Sequence, residues 1–196
     1  MSKVTFDISM SLDGFNTGPG ITPEEPLGQG GARLHEWAFG EDETGRRLLS
    51  EAIGSVGAVV AGRRTYDASL PWWGADGPTG PARLPVVVVT HDESAETPAG
   101  GVYSFVTGGI ERALDEASSA AGDRGVTVMG GADIGRQCLS AGLIDELSIH
   151  LVPVVFGGGT AMFDGLAGFE LEPLGMVDTP AATHLRYRVV TPQLRR

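Results

Sequence analysis

Gly130-Gly131-Ala132-Asp133-Ile134 is the segment best placed to do chemistry. It follows Val126–Met129, a short β-branched run that suits an interior strand. Two glycines let the backbone turn sharply and come close to a ligand, because no Cβ stands in the way. The amides of Ala132, Asp133 and Ile134 then open a helix N-terminus, where free N–H groups and the helix dipole favour a phosphate. The structural alternative is a strand-to-helix turn capped by Asp133.

Two further junctions have the same form. Val56–Gly62 is an apolar strand ending in glycine, followed by Arg63-Arg64-Thr65-Tyr66 at a possible helix start. Adjacent arginines and a hydroxyl at a strand's carboxyl end suit an anionic group; solvated surface arginines are the plain alternative. Val86–Thr90 contains four consecutive valines, as expected of a strand covered on both faces, and leads into His91. Ligands of open α/β sheets sit beyond the carboxyl ends of the strands. Three such ends define one long site for an extended, phosphate-bearing cofactor.

The order of these motifs carries a resemblance. Gly62-Arg63-Arg64-Thr65-Tyr66, Thr90-His91 and Gly130-Gly131-Ala132-Asp133-Ile134-Gly135 follow the arrangement of the dihydrofolate reductase-like superfamily. Ser11-Leu12-Asp13-Gly14, Leu143–Leu147 and Val152–Gly159 resemble the reductase domain of the bifunctional riboflavin-biosynthesis deaminase-reductase. The resemblance runs from Val4 to about Val190 and identifies the chain as a stand-alone member of the riboflavin-reductase C-terminal family. It implies hydride transfer from NADPH to a pterin-like or ribosylaminopyrimidine-like heterocycle. Arg63, Arg64, Thr90 and His91 would face the 2′-phosphate and nearby oxygens, and Gly130–Ile134 the pyrophosphate. Arginines favour NADPH because a reader of the free 2′-hydroxyl is normally acidic, although Asp92 stands nearby. Alternatives are true dihydrofolate reductase activity and a nucleotide-binding protein without turnover.

Such a reaction needs a positioned cofactor and a proton source. Glu36 matches the region where dihydrofolate reductases hold an acid, with Trp37 and Phe39 beside it to stack on a flat ring; the alternative is an exposed Glu36 and a Trp37 that packs in the core. Asp13 matches the end of the first strand near the nicotinamide, or is a turn residue before Gly14. Asp7 lies earlier in that strand and faces cleft or solvent. Trp72, in Pro71-Trp72-Trp73-Gly74, lines a substrate pocket, covers the cofactor or packs a loop. The four histidines are scattered and no Cys/His cluster has ligand spacing, so no metal is expected.

Elements must carry these residues. The pattern predicts strands at Lys3–Met10, Val56–Gly62, Val86–Thr90, Val102–Val106, Val126–Met129, Glu146–Phe156, Phe169–Asp178 and Thr183–Val190. Helices are predicted at Ala32–Phe39, Asp42–Ile53, Gly109–Ala121 and Ile134–Ala141. Gly14–Gly31 is long and rich in Gly and Pro, as expected of a flap beside an active site. The fold class is α/β, dihydrofolate reductase-like: a mostly parallel central sheet, helices on both faces and an antiparallel C-terminal edge.

With 196 residues the chain fits one domain, residues 1–196. Thirty glycines, about twice the usual ~7%, belong to turns and ligand loops. A net charge of −11 argues against nucleic acid and anionic membranes. No apolar run approaches a membrane span and no signal segment leads the chain; with Cys138 as its single cysteine, a reducing cytoplasm is expected. Cys138 sits at helical spacing from Ile134 and reads as a buried thiol. Leu147–Phe156 is long and apolar for a strand near a sheet edge, which, with the family's dimers, leads to the expectation of a two-fold homodimer near that strand or the C-terminal strands.

Overall fold

The computed structural model describes residues 2–92 and 97–190. Eight strands form one sheet in the order β4-β3-β2-β5-β1-β6-β8-β7. They are β1 (Val4–Ser11), β2 (Val56–Gly62), β3 (Val86–Val89), β4 (Tyr103–Val106), β5 (Gly125–Met129), β6 (Glu146–Val152), β7 (Glu170–Asp178) and β8 (Thr183–Val190). The six strands from β4 to β6 in that order run parallel, and β8 and β7 close the other side antiparallel. The helices are α1 (Glu36–Phe39), α2 (Glu43–Ser55), α3 (Arg63–Trp73), α4 (Gly109–Ala121) and α5 (Ala132–Ser140).

Parallel strands covered on both faces need apolar residues in both side-chain registers. β2 meets this from Gly57 to Ala61, all buried, and β3 from Val86 to Val88. One face joins Phe6, Ile8, Val60, Val87, Val126 and Val128 to Ala113, Leu114 and Ala117 of α4 and to Ile134 and Cys138 of α5. The other joins Val59, Ala61, Val86 and Val88 to Tyr66 of α3. Trp37 and Leu34 make a smaller apolar patch with Val152 and Ala182. α5 lies so close to β1 that a Cβ at Gly135 would collide with the Phe6 ring.

Three expectations are corrected in detail. Ala32–Phe39 is a 3-10 turn, Gly31–His35, running into the single turn of α1. Pro71, Trp72 and Trp73 are the last residues of α3, and Trp73 packs on the Tyr66 cluster. The long strand expected at Glu146–Phe156 ends at Val152 and is interior, paired with β1 on one side and β8 on the other. It is therefore no edge; β7 is. Gly14–Gly30 holds no strand or helix, yet it is fastened to the loop after β6: Asn16 N donates to Thr160 O at 2.9 Å, and Met162 N to Gly14 O at 2.9 Å.

Candidate active site

β1 outruns its neighbour. Its pairing with β5 stops at Asp7 opposite Met129, while its pairing with β6 continues to Ser11 opposite Val152. β2 also stops pairing with β5 at Ala61 opposite Met129. The carboxyl end of β5 is therefore a notch between β1 and β2, and the chain fills it with Gly130, Gly131 and the first turn of α5.

The two glycines have separate duties. Gly130 has φ +112°, and a Cβ there would collide with the Thr65 side chain. Gly131 has φ −71°, and its Cβ would meet nothing nearer than the Thr65 hydroxyl at 3.8 Å. Gly130 thus makes the turn, and Gly131 presents an open backbone. Gly131 is the N-cap of α5, in place of the Asp133 considered from sequence. Its N–H donates to Thr65 Oγ1 at 3.0 Å. With the Asn16 amide oriented to satisfy both its neighbours, its oxygen accepts from Ala132 N at 3.2 Å. Two of the turn's amides are therefore already committed to the protein.

The arginines are balanced by carboxylates. Arg63 Nε donates to both Asp67 oxygens, at 2.8 and 2.9 Å. Its Nη1 reaches Thr90 Oγ1 at 3.5 Å and the Asp92 carbonyl at 3.4 Å. The Asp67 hydrogen bonds, with its charge, raise the guanidinium further above its ordinary range. Arg64, exposed, pairs with Asp133, which also binds Arg136 at 2.6 Å. Thr90 is buried at the end of β3, while His91 is exposed. Gly62, Arg63, Arg64, Thr65, Thr90, Gly130, Gly131 and Asp133 therefore gather along one rim of the sheet; the side chains of Ala132 and Ile134 are turned inward to the core.

The two candidate acids, Asp13 just after β1 and Glu36 at the start of α1, have different surroundings. Asp13 bridges the turn after β1 to the loop after β6, accepting from Phe156 N at 3.1 Å and Gly157 N at 2.7 Å. The Ser11 hydroxyl and these amides hold its carboxyl below the usual range. A carboxylate so anchored ties two loops and is poorly suited to hold a proton for transfer. Glu36 is exposed on α1. Trp72 is 75% exposed at the end of α3.

Trp37 is buried, and its ring already has partners. It lies on the His150 imidazole with centroids 3.9 Å apart, and meets His184 edge-on at 4.9 Å. Its Nε1 donates to Ser9 Oγ at 3.0 Å. Beneath it runs a polar chain: Asp7 Oδ2 to His150 Nε2 at 3.2 Å, His150 Nδ1 to His184 Nδ1 at 2.7 Å, and His184 Nε2 to Thr179 Oγ1 at 3.1 Å. Burial raises the Asp7 carboxyl, but the His150 charge and hydrogen bonds from His150 and Ser148 outweigh it and leave it below the usual range. Burial pushes His184 down to about 4, assisted by the charge of His150. The histidines are scattered along the sequence, yet His150 and His184 meet here. The available signal was polar Asp7, Ser9 and His150 within apolar interior strands; pairing sets Ser9 opposite His150 and His150 opposite His184, with Asp7 opposite Ser148.

Among the described residues, no group of His, Cys, Asp and Glu has the arrangement of a metal site, and no helix is long and apolar enough to cross a membrane.

A mostly parallel sheet with an antiparallel edge and flanking helices is the architecture of the dihydrofolate reductase-like class. Solved structures superpose on nearly all of it. A putative riboflavin biosynthesis protein from Shewanella sp. PV-4 does so with a TM-score of 0.70 at 24% identity, over 97% of this chain and 100% of that one. A diaminohydroxyphosphoribosylaminopyrimidine deaminase/5-amino-6-(5-phosphoribosylamino)uracil reductase from Thermotoga maritima gives 0.67 at 16% identity, over 96% of this chain, which spans 57% of that protein. A pyrimidine reductase-like protein from Corynebacterium diphtheriae gives 0.64 at 15%, over 97% and 92%. No curated protein sequence matches the chain. Residues 2–184 match the RibD C-terminal domain, and the chain belongs to that family.

Proposed function

We propose that this protein is an NADPH-dependent reductase of a small heterocycle of the ribosylaminopyrimidine kind. Membership of the RibD C-terminal family supports an oxidoreductase, and gives no support to a true dihydrofolate reductase. The observation that carries the cofactor is the open α-carbon of Gly131, at the N-terminus of α5 and the carboxyl end of the sheet. A phosphate group fits such a place, since backbone N–H groups and the helix dipole both favour an anion. Arg63, Arg64, Thr65, Thr90 and His91 would hold the adenosine end, and Gly131 to Ile134 the pyrophosphate. Bound there, NADPH supplies the hydride.

The test is binding first and turnover second. Calorimetry with NADPH and NADH should give tighter binding of NADPH. Loss of absorbance at the reduced-nicotinamide band on adding 5-amino-6-(5-phosphoribosylamino)uracil would then support the substrate class. Binding without oxidation across pyrimidines and pterins would instead favour a nucleotide-binding protein without turnover. Failure to bind NADPH would overturn the reading.

A further inference from the structure

The polar chain under Trp37 has a property beyond packing. Thr179 Oγ1 donates to the Ala182 carbonyl at 2.9 Å and accepts from Ala182 N at 3.2 Å. Its single hydrogen is thus committed, so at 3.1 Å from His184 Nε2 it acts as acceptor, and His184 carries its hydrogen on Nε2. Nδ1 of a neutral His184 is then a lone pair. The 2.7 Å contact between the two Nδ1 atoms requires His150 to supply the hydrogen there. That leaves His150 Nε2 facing Asp7 Oδ2 at 3.2 Å. A lone pair against a carboxylate is repulsive, so this contact must hold one further proton. Thr179 and His184 fix the tautomer of His150, and through it they load the Asp7–His150 pair.

The pair also has an outlet. The His150 side chain is 9% exposed, whereas that of Asp7 is 28% exposed. Asp7 is the β1 residue opposite Met129, the last residue of β5 before the glycine turn. Asp7 is therefore the last β1 residue that β5 pairs, and its backbone lies where the notch between β1 and β2 begins.

We propose that the Asp7–His150 pair delivers a proton to the substrate at the exposed edge of Asp7, the proton resting on His150 Nε2 against the Asp7 carboxylate, and that Thr179 and His184 are positioning residues that keep it there. The proposal rests on the reductase reading. Reduction of a C=N or C=O bond adds a hydride to carbon and a proton to nitrogen or oxygen. The proton leaves the Asp7–His150 pair, the π-electron pair of the substrate becomes the new N–H or O–H bond, and solvent restores the proton at the exposed edge of Asp7. The remaining ionisable groups around the chain are His35 of the 3-10 turn, Asp42 at the start of α2 and Asp178 at the end of β7.

The first arm of the test is nitrogen NMR of the imidazoles in the free protein, which is independent of any substrate. The expected result is hydrogen on Nε2 of His184 and on Nδ1 of His150, with a downfield proton signal from the Asp7–His150 contact that disappears in Asp7→Asn. Hydrogen on Nδ1 of His184, or a downfield signal that survives Asp7→Asn, overturns the loaded pair. The second arm is steady-state kinetics with NADPH and 5-amino-6-(5-phosphoribosylamino)uracil. Asp7→Asn, with an unchanged melting curve, should lower kcat about 100-fold with little change in KM, as loss of an acid does. Thr179→Val should lower kcat several-fold and alter the pH profile, and Thr179→Ser should restore both. A kcat within threefold of the parent in Asp7→Asn removes the donor role. Wild-type protein that binds NADPH but leaves this probe unreduced counts against the reductase reading, while the NMR arm still decides the proton pair.

Discussion

At the scale of single residues, the arginines and glycines of the rim make separable predictions. Arg63→Ala or Arg64→Ala should weaken NADPH by about 1.5–3 kcal/mol, the worth of a charge-assisted contact, and hardly touch NADH. Calorimetry with both cofactors checks this; equal losses would move the arginines from the 2′-phosphate to the pyrophosphate or to folding. Gly131→Val should abolish cofactor binding in a folded protein, because its φ of −71° accepts a side chain while the Cβ occupies the phosphate's space. Gly130→Val should instead destabilise the fold by about 1–3 kcal/mol, since φ is +112° and Thr65 is in the way. Melting curves beside NADPH titrations distinguish the two. A Gly131→Val protein that binds NADPH normally would place the phosphate elsewhere.

At the scale of elements, β8 shows how tertiary contacts override a strand's own pattern. His184, Arg186 and Arg188 alternate with Leu185, Tyr187 and Val189, which reads as a half-exposed strand. Arg186 and Arg188 are exposed as expected, but His184 is buried because Trp37 and His150 cover that end of the strand. Burial has a consequence for acid stability. The unfolded imidazole takes up its proton near the ordinary 6.5, the folded one not until about 4. Between those values the unfolded chain binds more protons, so stability should fall as pH drops from 6.5 to 4, by at most about 3 kcal/mol, and this contribution should level off below. Urea unfolding at several pH values measures it, and His184→Phe should flatten the slope in that window. Most elements were legible because Val, Ala and Gly runs mark interior strands without reference to partners. The polar chain was not, since Asp7, His150 and His184 are far apart in sequence and meet only through strand order. The anchoring of Asp13 was hidden likewise, because its amide partners come from the loop after β6.

At the scale of the whole molecule, the sheet has two ends of unlike character. β7 is an edge with Leu174 38% and Met176 65% exposed, and its pairing with β8 slips between Pro173 and Gly175. A bulge and a proline blunt an edge against open-ended pairing, while exposed apolar residues leave it suited to one specific partner. We expect a two-fold homodimer through β7. Light scattering during size exclusion should give a dimer at micromolar concentration, and Met176→Lys should shift it toward monomer. A dimer indifferent to that change would place the interface elsewhere.

The first strand made is the central one. β1 pairs with β5 and β6, whose residues lie between 125 and 152, so the N-terminal segment leaves the ribosome long before either partner exists. Its apolar residues, Phe6 and Ile8 among them, must wait exposed or find temporary company. A nascent chain stalled before residue 125 has no means of closing its sheet, and loop closure over such spans is slow. Synthesis rate and chaperone supply, rather than final stability, should then set the yield of folded protein. Arrest at increasing lengths, probed by proteolysis, should show protection appearing abruptly once β6 emerges.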